Sequence, residues 1–152
     1  MKLKAIILAL FMAAVFTTGC KFYLPEVVPR FTTPEEVMEF VYENVEYAND
    51  SMDEWQTPKE TMELGTGDCE DYAILMISIL EEMDIESFMV VIKRNDVHNY
   101  HALVEVDGLY YEPTGNFTVD TIVDGWEIEM ILTYEDLIYI IRNGIRSILN
   151  IK

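Results

Sequence analysis

Basic residues are scarce in this sequence. Ten Lys and Arg stand against 28 Asp and Glu, a formal net charge of −18. Such a chain has no basic face with which to displace phosphate counterions, so nucleic-acid binding is excluded, as is a polybasic grip on anionic lipid. Two cysteines in 152 residues are too few for a disulfide-stapled scaffold or a Cys-rich zinc module. The two histidines, His98 and His101, could join Cys69 in a zinc set, but His-x-x-His at a loop–strand junction with one cysteine lacks the ligand spacing of a zinc site. Repeats and low-complexity segments are absent. What is present is a 51% hydrophobic and 12% aromatic composition, which excludes a disordered acidic tail. The length suits one domain with a real core.

The N-terminus stands apart from that domain. Lys2 and Lys4 form a short basic start, and an apolar run of 12 residues follows from Ala5 to Phe16. A membrane-spanning helix needs about 20 apolar residues, so a basic start, a short apolar run and then small residues read as a secretory signal peptide. Thr17-Thr18-Gly19-Cys20 resembles a lipobox, the signal of bacterial lipoproteins, with Thr17 where Leu is usual. That resemblance implies cleavage before Cys20 and acylation of Cys20. The expected organisation is a signal peptide over residues 1–19, a lipid-anchored tether over 20–32 and a folded domain over 33–152. The protein would be exported and anchored at the bacterial cell envelope, with the membrane as a partner through its lipid.

Within the domain, Thr33-Pro34-Glu35-Glu36 is a helix start with Thr as N-cap, Pro at N1 and Glu at N3. Val37, Phe40, Val41, Asn44 and Val45 keep the helical period to about residue 47. Thr57-Pro58-Lys59-Glu60 repeats the start signal, and Gly65 reads as the glycine that ends that short helix. A tight turn at 65–68 leads into the strongest helix, whose stripe is Tyr72, Leu75, Met76, Ile79, Leu80 and Met83. Extended backwards, the stripe reaches Cys69 in the first turn. The period then changes to two. Strands are expected at 87–93, 100–106 and 109–112, with a fourth at about 127–132. Asp107-Gly108 is the two-residue signal for a type I′ hairpin. Thr133-Tyr134-Glu135-Asp136 opens a last helix. Helices first and antiparallel strands later predict an α+β domain.

Cys69 at a helix N-terminus, where the dipole favours an anion, is expected to have a lowered thiol pKa and raised nucleophilicity. The segment Trp55-Gln56-Thr57-Pro58-Lys59-Glu60-Thr61 followed by Gly65-Thr66-Gly67-Asp68-Cys69-Glu70-Asp71-Tyr72-Ala73 resembles the nucleophile segment of bacterial transglutaminase-like cysteine peptidases, of the papain-like superfamily. His101-Ala102-Leu103-Val104-Glu105-Val106 resembles their histidine strand, and Tyr110-Tyr111-Glu112-Pro113-Thr114 the strand of their third residue. Glu112 stands where the family usually has Asp, and Leu103 where it often has Trp. The resemblance implies a papain-like fold, with the nucleophile helix packed on an antiparallel sheet, and a Cys69–His101–Glu112 triad.

The hairpin arithmetic bears on that triad without the family. A two-residue loop at 107–108 makes opposing residues sum to 215, so His101 faces Thr114 and Leu103 faces Glu112. Glu112 and His101 then share a sheet face one diagonal step apart, within reach of long side chains. His98, in a polar loop, reads as a surface histidine.

The expected activity is attack of Cys69 on an amide bond of a protein or peptide substrate, with Gln56 as a candidate oxyanion donor. Transfer to an amine passes through the same acyl-enzyme, and an inactive binding lipoprotein is the alternative of a different class. No cofactor is required by this chemistry. Some bacterial members of the family use calcium near the acidic segment, which makes Asp68 and Glu70 the candidate calcium ligands.

Overall fold

The structure is a computed structural model that describes residues 21–25, 28–49, 54–95 and 100–145. The proposed signal peptide, Cys20 and His98 lie outside the described residues. The element order is α1 (Pro34–Asn44), β1 (Glu46–Tyr47), α2 (Pro58–Leu64), β2 (Thr66–Gly67), α3 (Cys69–Glu82), β3 (Phe88–Arg94), β4 (Tyr100–Val106), β5 (Leu109–Glu112), β6 (Phe117–Val119), β7 (Trp126–Leu132) and α4 (Tyr134–Arg142). This is the α+β architecture expected. No helix among the described residues is long and apolar enough to cross a membrane.

The sheet is antiparallel throughout, in the order β6-β5-β4-β3-β7. Its β4–β5 register pairs Val104 with Tyr111, Glu105 with Tyr110 and Val106 with Leu109, as the two-residue turn demands. Asp107 and Gly108 both have positive φ, 51° and 84°, the backbone of a type I′ turn. α3 lies against this sheet and is buried from Cys69 to Leu80 on every side, because α1 and α2 cover its other face. A helix apolar all round is a core helix, and Ile74 and Ile77, outside the sequence stripe, are as buried as the stripe itself. Ser78, buried in the middle of α3, bonds back to the Ile74 carbonyl at 2.7 Å.

Three features differ from the sequence reading. α1 stops at Asn44, because Val45 turns to an extended conformation and the chain enters β1. The expected turn at 65–68 contains a strand, β2, which pairs in parallel with β1. β6 was not expected. The other face of the sheet carries a second small core of Val90, Ile92 and Leu103, covered by Tyr110, Ile122 and Trp126. β3 is therefore buried on both faces, which accounts for its unbroken apolar run.

The described part of the expected tether is packed. Phe22, Leu24, Val28 and Phe31 lie against the core. The Phe22 amide donates to the Tyr134 hydroxyl at 2.7 Å, the two rings meet edge to face at 5.6 Å, and Lys21 reaches Glu82 at 3.4 Å.

Candidate active site

The site starts from how the chain enters α3. Gly65, at φ 66°, ends α2 in the left-handed conformation. Two residues of β2 follow, then Asp68, then Cys69 as the first residue of α3. Asp71, almost wholly buried, holds this corner: one carboxylate oxygen accepts the Asp68 amide at 3.2 Å, and the other accepts the Gln56 amide at 2.7 Å. Gly67 lets Asp71 approach, since a Cβ there would sit 2.7 Å from the Asp71 Cβ. The run Gly67-Asp68-Cys69-Glu70-Asp71 is thus a steric and hydrogen-bonded device that fixes Cys69 and ties the loop bearing Gln56 to it.

The Cys69 thiol is buried. It donates to Glu70 Oε2 at 2.9 Å and receives the Ala102 backbone N–H. Its pKa lies far above the ordinary thiol range. Burial is the largest cause, followed by the Glu70 charge and hydrogen bond, and the Ala102 amide only partly opposes them. The expectation of a lowered thiol pKa is therefore corrected: desolvation and adjacent acids outweigh the helix dipole. Glu70 itself is lifted to about 8 by burial and by the charge of Asp68.

His101 enters from β4 and Glu112 from the end of β5, and His101 Nε2 is hydrogen-bonded to Glu112 Oε2. Glu112 Oε1 accepts the Thr114 amide at 3.0 Å and the Thr114 hydroxyl at 2.5 Å. Burial pushes the Glu112 carboxyl up, but the His101 hydrogen bond and charge and the Thr114 donors overcome it and leave it below the ordinary value. The diagonal pairing read from the hairpin is the one the structure makes. With Nε2 engaged, Nδ1 is the ring nitrogen left for other work. The Ala102 amide against Sγ brings Cys69 to the backbone one residue from that imidazole.

Gln56 is fixed through its backbone, while its side-chain Oε1 is buried without a partner. A buried acceptor left without a donor is costly. Tyr47 was not singled out from the sequence. It lies in β1 opposite Gly67, and the charges of Cys69, Asp68, Glu70 and Glu112 all act on its phenol, so it borders both halves of the site. The only signal for it was an aromatic residue just after the first helix.

The profile of the transglutaminase-like domain family matches residues 29–134, and the chain belongs to that family. Among solved structures, Legionella pneumophila LapG in its calcium-bound form is similar at 18% identity and a TM-score of 0.54, over 66% of this chain and 66% of LapG. A second LapG structure gives 17% and 0.55 over 68% of each chain, and EGTA-treated LapG gives 16% and 0.54 over 66% of this chain and 64% of that one. The chain thus spans about two thirds of the LapG chain, just under that share in the calcium-bound form. At these identities the likeness is one of fold. No curated protein matches the chain.

Proposed function

We propose that the protein is an exported, lipid-anchored cysteine peptidase-like enzyme that cleaves amide bonds of proteins or peptides. The observation that supports this most is the half-buried His101 paired with buried Glu112 and its Thr114 donors, beside a cysteine whose sulfur rests on the Ala102 amide. In this reading the thiol turns from Glu70 and gives its proton to His101 Nδ1. The thiolate attacks the amide carbonyl. The tetrahedral oxyanion receives the Gln56 side-chain amide and the Cys69 backbone N–H, and each such donor contributes about 10²–10³-fold in rate. The His101 imidazolium, held and charge-balanced by Glu112, protonates the leaving amine. Water or a second amine, activated by His101, then releases the acyl group from Cys69, so hydrolysis and amide transfer share every step up to that point.

Asp68 and Glu70 bring two carboxyl groups together beside the thiol, and burial and the Asp68 charge lift the Glu70 carboxyl to about 8. Hard oxygen donors suit calcium, so these two residues would hold one in this chain. Asp71 is committed to backbone amides, and no group of three or more His, Cys, Asp or Glu is arranged for a metal among the described residues. When bound there, calcium would supply positive charge beside the thiol and oppose the effects that keep it protonated.

The second reading is a binding lipoprotein without turnover, favoured by the thiol being held protonated against Glu70. Labelling with a peptidyl vinyl sulfone at neutral pH separates the two. The enzyme reading expects a single adduct on Cys69, formed at least tenfold more slowly in His101→Ala. A rate indifferent to His101 favours the binding lipoprotein.

A further inference from the structure

Tyr47 has no part in the catalytic scheme, yet it is held from three directions. Its backbone pairs with Gly67, two residues before Cys69, and the next residue, Ala48, donates to the Gly67 carbonyl at 2.9 Å. Its ring packs at 6.3 Å and 49° against Tyr72, one turn into the nucleophile helix. Its hydroxyl donates to Asn49 Oδ1 at 2.9 Å. Even so, 48% of the residue is exposed. A ring whose position is already fixed loses little conformational entropy when something stacks on it.

The surroundings of that ring are acidic. Burial, with the nearby Asp68 carboxylate adding to it, lifts its phenol to about 12, so it stays neutral. The whole chain carries −18. A neutral aromatic face on a chain of this net charge favours a cation over an anion or a neutral group, through the ring quadrupole and through Coulomb attraction.

We propose that Tyr47 is a specificity residue whose exposed ring face forms the floor of a subsite beside Cys69, taking a Lys or Arg side chain of the peptide substrate. This rests on the cysteine-peptidase reading and gives it a substrate class: peptides with a basic residue next to the bond attacked. The expected preference is on the order of tenfold for a basic over an apolar side chain of the same length.

Three peptidyl vinyl sulfones that differ only in the residue bearing the reactive group, Lys, norleucine or Glu, test it. Second-order labelling rates at Cys69 are measured by intact mass and divided by the iodoacetamide rate of the same variant. The wild type should rank Lys above norleucine above Glu. Tyr47→Phe should keep that order, and Tyr47→Ala should bring Lys level with norleucine. Persistence of the Lys advantage in Tyr47→Ala, equal rates for the three probes in the wild type, or a parallel fall of Lys and norleucine would each overturn the proposal. Failure of iodoacetamide to modify wild-type Cys69 would overturn the cysteine-peptidase reading on which it stands.

Discussion

A carboxylate that is buried and still ionised needs donors, and Glu112 has three: the His101 ring, the Thr114 amide and the Thr114 hydroxyl. Glu112→Gln keeps the volume and removes the charge. It should leave the fold intact and cut turnover by orders of magnitude, on the scale of the ~10⁴ that neutralising a triad acid costs. The same group links stability to pH. Its folded pKa is depressed below 4.5, so its contribution is fully present above the unfolded value and is lost as the pH falls through the lower folded value. Thermal melts of Glu112→Gln should therefore be flatter than those of the wild type below about pH 4.5. Parallel melting curves over that range would contradict the ion pair. Glu70 acts in the opposite sense on its neighbour. Glu70→Gln removes an acid beside the thiol, so the pH at which Cys69 becomes open to alkylation should move down. It should stay at or above the ordinary value of about 8.5, because burial, the larger cause, is unchanged. An unmoved alkylation profile would show that Glu70 does not hold the thiol.

Among the elements, the corner before α3 is the one on which the site depends. Gly67→Ala would drive a Cβ into Asp71, and overpacking of this kind costs roughly 1–3 kcal/mol. Chemical denaturation should register that loss together with slower labelling of Cys69, since Asp71 would release the Gln56 loop. A variant as stable and as reactive as the wild type would show that the close approach is not needed. Much of this element was legible in the sequence. Thr33-Pro34 and Thr57-Pro58 begin helices where expected, since capping and proline chemistry are local. The hairpin register followed from two residues, and with it the meeting of His101 and Glu112. The parts missed depend on contacts distant in sequence. β1 and β2 are two residues each and exist only because the chain passes the same place twice. Tyr47 was missed with them. The thiol pKa was misjudged because a helix N-terminus can be read from sequence, whereas burial under a sheet and the direction of the Glu70 side chain cannot.

For the molecule as a whole, the segment that follows Cys20 bears on how the site is presented. Lys21 pairs with Glu81 and Glu82 at the C-terminal end of α3, and Cys69 is at the other end of that 14-residue helix, about 21 Å away at 1.5 Å per residue. Lys21 and Cys69 are thus tied to opposite ends of α3. Acylation is tested by detergent partitioning. The wild type should enter the detergent phase and Cys20→Ala the aqueous phase, and equal aqueous recovery of both would rule the anchor out. The central claim is that Cys69 attacks amide bonds with His101 and Glu112 behind it. Its most direct measurement is mass-spectrometric profiling of a mixed peptide library, with a primary amine present, after incubation with the wild type or Cys69→Ala. The wild type should give new peptide termini or amine adducts, enriched beside Lys and Arg, and Cys69→Ala should give none. Equal cleavage by both proteins, or no product from either, would contradict it.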